Sequence, residues 1–146
     1  MTDCIFCKII QGEIPSAKTY EDDYVYAFLD ITQTTPGHTL VIPKKHIDDL
    51  FGYEADLAGQ VFKRIPMIGR AIMQAFPEAK GLNLLNNNGE AAYQSVFHSH
   101  FHLIPRYDRD NDDFGLIFKN NGDQYSQEDF QALAQKIQAH TQALND

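Results

Sequence analysis

Apolar and polar positions follow two rhythms along this chain. Near the start, Ile5, Phe6, Ile9 and Ile10 recur at helical spacing, and Gly12 would stop a short helix over 4–11. Thr19-Tyr20-Glu21 and Tyr24-Val25-Tyr26-Ala27-Phe28-Leu29 flank Asp22-Asp23 and predict a β-hairpin. The polar, Thr-rich stretch 30–37 ends in Pro36-Gly37 and reads as a loop. His38-Thr39-Leu40-Val41-Ile42 predicts a third strand that Pro43 closes, and 46–50 a short helix. Leu57, Val61, Phe62, Ile65, Ile68, Ile72 and Phe76 then mark one face of a long helix over 53–76, which Pro66 should kink. Leu82-Asn83-Leu84-Leu85-Asn86 predicts a fourth strand, Asn87-Asn88-Gly89-Glu90 a turn, and 95–104 a fifth strand. Residues 108–113 form a charged loop, followed by a brief apolar return over 114–118. Ser126-Gln127-Glu128-Asp129 carries cap signals for a last helix whose apolar side is Phe130, Leu133, Ile137 and Leu144. A hairpin first, with a helix inserted before the last pair of strands, predicts an α+β fold. It would have a mostly antiparallel sheet of about five strands, in a single domain over 1–146.

Composition narrows the classes. A chain of 146 residues, 43% hydrophobic and 22% charged, can bury an ordinary soluble core. Its net charge of −8 argues against binding a nucleic-acid polymer or an anionic membrane surface. Basic spots at Lys44-Lys45 and around Arg106 and Arg109 leave room for a small anionic ligand. No apolar run approaches the ~20 residues of a membrane span. Met1-Thr2-Asp3-Cys4 lacks the basic and apolar regions of a signal peptide, so the expected compartment is the cytoplasm. Cys4 and Cys7 lie three apart, a spacing that suits metal binding or redox work better than a stabilising disulfide.

The chemistry concentrates in His98-Ser99-His100-Phe101-His102-Leu103-Ile104-Pro105. A period of two on a strand puts all three imidazoles on one face. Such a row could be an incidental solvated face, a metal site, or a nucleophilic ring between two supporting ones. H-x-H on a strand is a known ligand pair, but the nearest downstream acids, Asp108 and Asp110, fall in a loop. A neutral imidazole attacks phosphorus well near neutral pH, provided its other nitrogen donates a hydrogen bond that fixes the tautomer. Gln94-Ser95 and Asn86-Asn87-Asn88-Gly89, just upstream, add hydrogen-bonding groups that favour this third reading.

The row resembles the motif of the histidine triad (HIT) superfamily. Cys4-Ile5-Phe6-Cys7-Lys8-Ile9-Ile10, Phe28-Leu29-Asp30-Ile31, the block from Pro36-Gly37-His38 to Pro43-Lys44-Lys45-His46, and Gln94-Ser95-Val96 are similar to its Hint-like branch, in the bacterial type with an N-terminal C-x-x-C. The resemblance implies a HIT-like fold and a hydrolase acting at the α-phosphate of purine nucleotides: phosphoramidates, adenylates or dinucleoside polyphosphates. By resemblance His100 is the nucleophile that forms a covalent nucleotidyl-histidine, with no metal needed for the chemistry. His102 would contact the phosphate and assist the leaving group, His98 would orient the central ring, and His38 would be the fourth active-site histidine. Ser95 and Gln94 would bond phosphate or leaving-group atoms, Asn87 would approach the phosphate, and Asp30 would hold the ribose. Ile5, Phe6, Ile9, Phe28 and Ile31 would form the slot for the base.

The same resemblance implies a structural zinc on Cys4, Cys7, His46 and His98. It also implies a homodimer in which the helix over 53–76 is the contact. Two other activities remain open: a nucleotidyl transferase, which His102 disfavours because transferases of this superfamily carry glutamine there, and a nucleotide- or partner-binding module with little turnover. The chain departs from the pattern twice. Tyr93 stands where the branch has glycine before Gln-Ser, and Ser99 occupies a position that is normally hydrophobic.

Overall fold

A computed structural model describes residues 3–143, so Leu144 lies outside the described residues. The chain divides into two compact units, Met1–Gly115 and Leu116–Asp146. The first holds a five-stranded antiparallel sheet: β1 (Lys18–Glu21), β2 (Val25–Leu29), β3 (Thr39–Pro43), β4 (Gly81–Leu85) and β5 (Phe101–Arg106). The strands lie in the order β1-β2-β3-β5-β4, with β1 and β4 at the edges. Cross-strand register explains the two faces. Phe28 lies opposite Leu40 and Leu40 opposite His102, so these three form one row across the sheet. The alternate positions Val25, Ala27, Val41, Phe101 and Leu103 point to the other face and are buried there.

Each face has its own helical cover. Helix α1 (Ile5–Ile10) buries Phe6 and Ile9 against Tyr26, Phe28, Leu40 and Ile42. Val61 of α2 (Ala55–Phe62) and Ile65, Ile68 and Ile72 of α3 (Ile65–Ala75) pack on the opposite face. The hairpin turn is fastened by Asp22, whose carboxylate accepts from Tyr24 and Val25 N–H at 2.8 and 3.0 Å, from the Tyr20 hydroxyl at 2.7 Å, and from Arg64. Desolvation pushes the Asp22 carboxyl up, but those donors outweigh it and hold the group well below the usual carboxylate range.

Three local expectations differ from the structure. The apolar face over 53–76 belongs to two helices, because Pro66 sits in the first turn of α3, where its missing N–H costs nothing, and the chain breaks at Lys63-Arg64. Residues 46–50 do not form a helix; a 3₁₀ turn follows at Leu50–Gly52, capped by the Asp49 carboxylate. The fifth strand begins at Phe101 and not at 95. The β3–β5 ladder ends at Val41 opposite Phe101, and Ser99 N–H turns away to donate to Ile47 C=O at 2.6 Å. Ser99 itself is buried and its hydroxyl accepts from Tyr53 at 3.0 Å, so the odd serine on this face is hydrogen-bonded.

In the second unit, α4 (Gln127–Gln138) opens with a reciprocal Ser126–Asp129 capping box, as its sequence predicts. Phe130, Leu133 and Ile137 on it are exposed. Among the described residues, no helix is long and apolar enough to cross a membrane.

Candidate active site

Loop 30–38 delivers His38 to the end of β3. Gln33 pins the loop: its amide donates to Asp30 and His38 carbonyls at 2.8 and 2.7 Å, and its carbonyl accepts from Gly37 N–H at 2.9 Å. Gly37 takes φ +95°, and a Cβ there would come within 2.9 Å of the Phe76 ring, so both backbone and space require glycine.

Ring tautomers in the site follow from backbone partners. Thr34 N–H, which can only donate, reaches His38 Nδ1 at 3.3 Å. The remaining proton of neutral His38 is therefore on Nε2, which meets His102 Nδ1 at 2.9 Å. His102 accepts there and carries its own proton on Nε2. Asp30 stands behind the pair, its Oδ2 3.6 Å from His38 Nε2 and 4.0 Å from His102 Nδ1. Its other oxygen is held by the Thr32 hydroxyl and N–H at 2.7 and 2.8 Å. Burial raises the Asp30 carboxyl, but the Thr32 donors and the two histidines bring it below its ordinary value.

His100 is set the other way round. Its Nδ1 lies 2.8 Å from the His98 carbonyl oxygen, which can only accept, so Nδ1 carries the proton and Nε2 keeps a bare lone pair. Asn86 Nδ2 donates to the His100 carbonyl at 2.9 Å and fixes the backbone on the other side. Burial lowers His38 and His100, and with its neighbours pushes His102 down to about 4, so the rings are neutral near pH 7. Neutral rings around one bare nitrogen suit nucleophilic attack on an electrophilic phosphorus.

His100 and His102 line a cleft of about 450 Å³. Its apolar side is built by Phe6, Ile9, Phe28, Leu40 and Val96, with Ile14 and Pro15 beyond α1; its polar side carries Asp30, Asn87 and Ser95. Ile5 and Ile31 stand at the mouth, Ile31 being 99% exposed, so Ile31 forms rim and not slot.

His98 belongs elsewhere. Its Nε2 donates to Pro43 C=O at 2.8 Å, leaving the Nδ1 lone pair 3.3 Å from Cys4 Sγ and 3.6 Å from Cys7 Sγ. His46 brings Nδ1 to 3.4 Å from Cys7 Sγ, while its Nε2 meets the Asp48 carboxylate at 2.9 Å. Two thiols and two imidazole lone pairs thus converge, all within 4.8 Å of one another. Tetrahedral zinc, with Zn–S of about 2.3 Å and Zn–N of about 2.0 Å, places S and N ligands roughly 3.5 Å apart, so the spacing fits. The carboxylate behind His46 and the carbonyl behind His98 are the outer partners that such ligands use. Burial and the neighbouring Cys4 push the Cys7 thiol up to about 11, so loading a cation here would release protons.

The comparisons agree with this geometry. The HIT domain model matches residues 11–109, which carry the cleft, apart from Ile5, Phe6 and Ile9, and two of the four converging ligands, His46 and His98. The chain belongs to the HIT domain family. A crystal structure of a HIT family member from Bacillus subtilis is 54% identical, covers 97% of this chain and 99% of that one, and superposes with a TM-score of 0.92. The adenosine 5′-monophosphoramidase of Saccharomyces cerevisiae is 45% identical over 78% of this chain and 67% of its own length. The crystal structure of a Zn-bound histidine triad family protein from Mycobacterium smegmatis is 35% identical, covers 95% of this chain and 99% of that one, and has a TM-score of 0.71.

Within this HIT domain the triad is split. Cleft residues His100 and His102 join His38, and His98 joins Cys4, Cys7 and His46, touching the cleft through its carbonyl. Gln94 does not face the cleft. Its buried amide donates to Asp48 and Val96 carbonyls at 2.6 and 3.1 Å, and its carbonyl accepts from Gly89 N–H at 2.8 Å. It organises the loop that bears Ser95, because a buried amide must spend its donors on whatever surrounds it. Gln33 and the Thr34 N–H were not among the expected site residues. A polar loop ending in Pro-Gly hides which of its members fold inward. Leu40 and Val96 were likewise unassigned, although the opposition of Leu40 to Phe28 is visible once the hairpin register is known.

Proposed function

We propose that this HIT domain is a nucleotide hydrolase that transfers the nucleoside monophosphate group of a purine nucleotide to His100 and then to water. The observation that carries the reading is the bare Nε2 of His100, fixed by the Nδ1–His98 carbonyl bond, in a cleft with an apolar slot and a carboxylate. The Nε2 lone pair forms a bond to the α-phosphorus while the bond to the leaving group breaks. His102, presenting Nε2–H, hydrogen-bonds the phosphate or leaving atom as negative charge builds there. Water then attacks the same phosphorus and gives up a proton to the solvent, which offsets the proton taken up by the departing leaving group; the P–N bond to His100 breaks, and the nucleoside monophosphate departs. Asp30 would hold the ribose and Ser95 and Asn87 the phosphate, a reading supported by their position on the lining of the cleft. Similarity to the yeast monophosphoramidase supports a phosphoramidate among the substrates.

Cys4, Cys7, His46 and His98 would hold a zinc ion whose role is structural, tying the start of α1 to the segment that bears His100. Four protein ligands close the coordination sphere and leave no open position for substrate. We also place the enzyme in the cytoplasm as a homodimer. Support for the dimer comes from the β4 edge and an apolar hollow over Ile65, Gly69, Met73, Leu82 and Leu84, a surface that suits a second copy. Light scattering at micromolar concentration should then give twice the mass of the chain; the monomer mass would refute it.

The test of the activity is acid-quenched mass spectrometry during turnover of adenosine 5′-phosphoramidate. The expected result is a nucleotidyl adduct on the peptide carrying His100. Turnover with no adduct at any time point would overturn the covalent reading, and no turnover of any adenosine substrate would overturn the hydrolase.

A further inference from the structure

Tyr93 is the largest exposed side chain around the cleft and the least comfortable. It takes φ +70° and ψ +21°, the left-handed conformation that a bulky aromatic residue rarely adopts. The backbone holds it there: Tyr93 N–H donates to Glu90 C=O at 3.0 Å, Gln94 N–H to Gly89 C=O at 3.1 Å, and the buried Gln94 amide clamps the loop from both sides. Glycine would adopt this conformation without strain. Tyrosine instead costs stability, and such strain persists where the surroundings over-determine it and collects at ligand sites.

The fold itself makes little use of the ring. It is 88% exposed, yet it lines the same cleft as Asn87, Ser95, His100 and His102. The apolar lining of that cleft includes Phe6, Phe28 and Leu40, which suit the base. A bare aromatic face on the polar rim, beside the phosphate-side groups, is left for whatever is attached beyond the phosphorus.

The geometry points to Tyr93 as a specificity-determining platform that stacks on a planar aromatic leaving group: an arylalkyl amine or a second nucleobase. This rests on the hydrolase reading and names the substrate class within it. An aromatic side chain stacking on a planar ring stabilises it in a way that a small aliphatic group cannot match.

The test compares kcat/KM for three adenosine substrates on the full chain: a methylamine phosphoramidate, a 2-phenylethylamine phosphoramidate and a dinucleoside polyphosphate. Tyr93→Phe keeps the ring, Tyr93→Ala removes it but keeps the backbone strain, and Tyr93→Gly removes both. For at least one aromatic substrate, the preference over methylamine should fall about tenfold in Tyr93→Ala and Tyr93→Gly alike, and stay within about twofold in Tyr93→Phe. The substrate that responds identifies an amine or a nucleobase as the stacking group. If the aromatic-to-methylamine ratios are unchanged in both ring-deleted variants, or if Gly and Ala diverge while Gly matches the wild type, the platform is refuted and the hydrolase stands. If the wild-type protein releases AMP from none of the three, the hydrolase reading itself has failed.

Discussion

Two clusters of histidines sit back to back in this molecule, and they differ in which ring nitrogen the backbone occupies. At the thiol cluster, the Pro43 carbonyl accepts from His98 Nε2–H and leaves the Nδ1 lone pair facing Cys4 and Cys7. Two residues on, the His98 carbonyl accepts from His100 Nδ1–H and leaves Nε2 bare in the cleft. Residue type, burial and neutrality are shared, so a single carbonyl contact separates the proposed ligand from the proposed nucleophile. His98 joins the clusters by serving one with its ring and the other with its backbone.

Four perturbations should break or sharpen this contrast, the largest effect first. His100→Ala removes the bare nitrogen and should lower kcat by at least about 10⁴-fold. Its zinc content, read by elemental analysis, should match that of the wild type; a joint loss would mean the clusters are one unit. Cys7→Ser acts on the opposite side. It should abolish stoichiometric zinc and lower Tm by about 10 °C or more in a thermal melt, while kcat falls less than tenfold. A kcat loss as deep as that of His100→Ala would make the metal catalytic.

His38→Ala removes the donor to His102 Nδ1 and frees the ring to take the other tautomer. A kcat loss of about 10²-fold is expected, greatest for the poorest leaving groups, and measurable across a series of amine leaving groups. Asp22→Asn lies outside both clusters and serves as the control. It should cost about 1–3 kcal/mol in urea unfolding, leaving kcat and zinc content as they are. The folded Asp22 carboxyl titrates below its unfolded value of about 3.9, so its contribution is present above about pH 4 and disappears as pH falls further. The variant's stability should therefore depend less on pH in that acid range than the wild type's.

Much of this arrangement is legible along the chain. The β1–β2 hairpin, the α4 cap at Ser126 and the short α1 follow from local patterns, and the structure shows each of them. Cys4, Cys7, His46 and His98 were expected to converge through resemblance, and their ligand atoms do. What local pattern misreads is set by distant partners or, at Pro66, by a residue that fits two helical positions. Period-two histidines predict a strand from 95, but the Ile47 carbonyl captures Ser99 N–H and the ladder starts only at Phe101. An uninterrupted apolar face over 53–76 predicts one kinked helix, yet Pro66 is better placed opening a second helix than inside the first. Gln94 looks available to a phosphate until the Asp48 and Val96 carbonyls claim its amide. A hydrogen bond spanning tens of residues leaves no trace in the spacing of either partner.

The tautomers can be read directly. Long-range ¹H–¹⁵N NMR of the histidine rings separates protonated from bare nitrogens at neutral pH. The expected pattern is Nδ1–H at His100 and Nε2–H at His38, His98 and His102. Finding Nε2–H at His100 would contradict the account, because the nitrogen assigned to attack phosphorus would carry a proton.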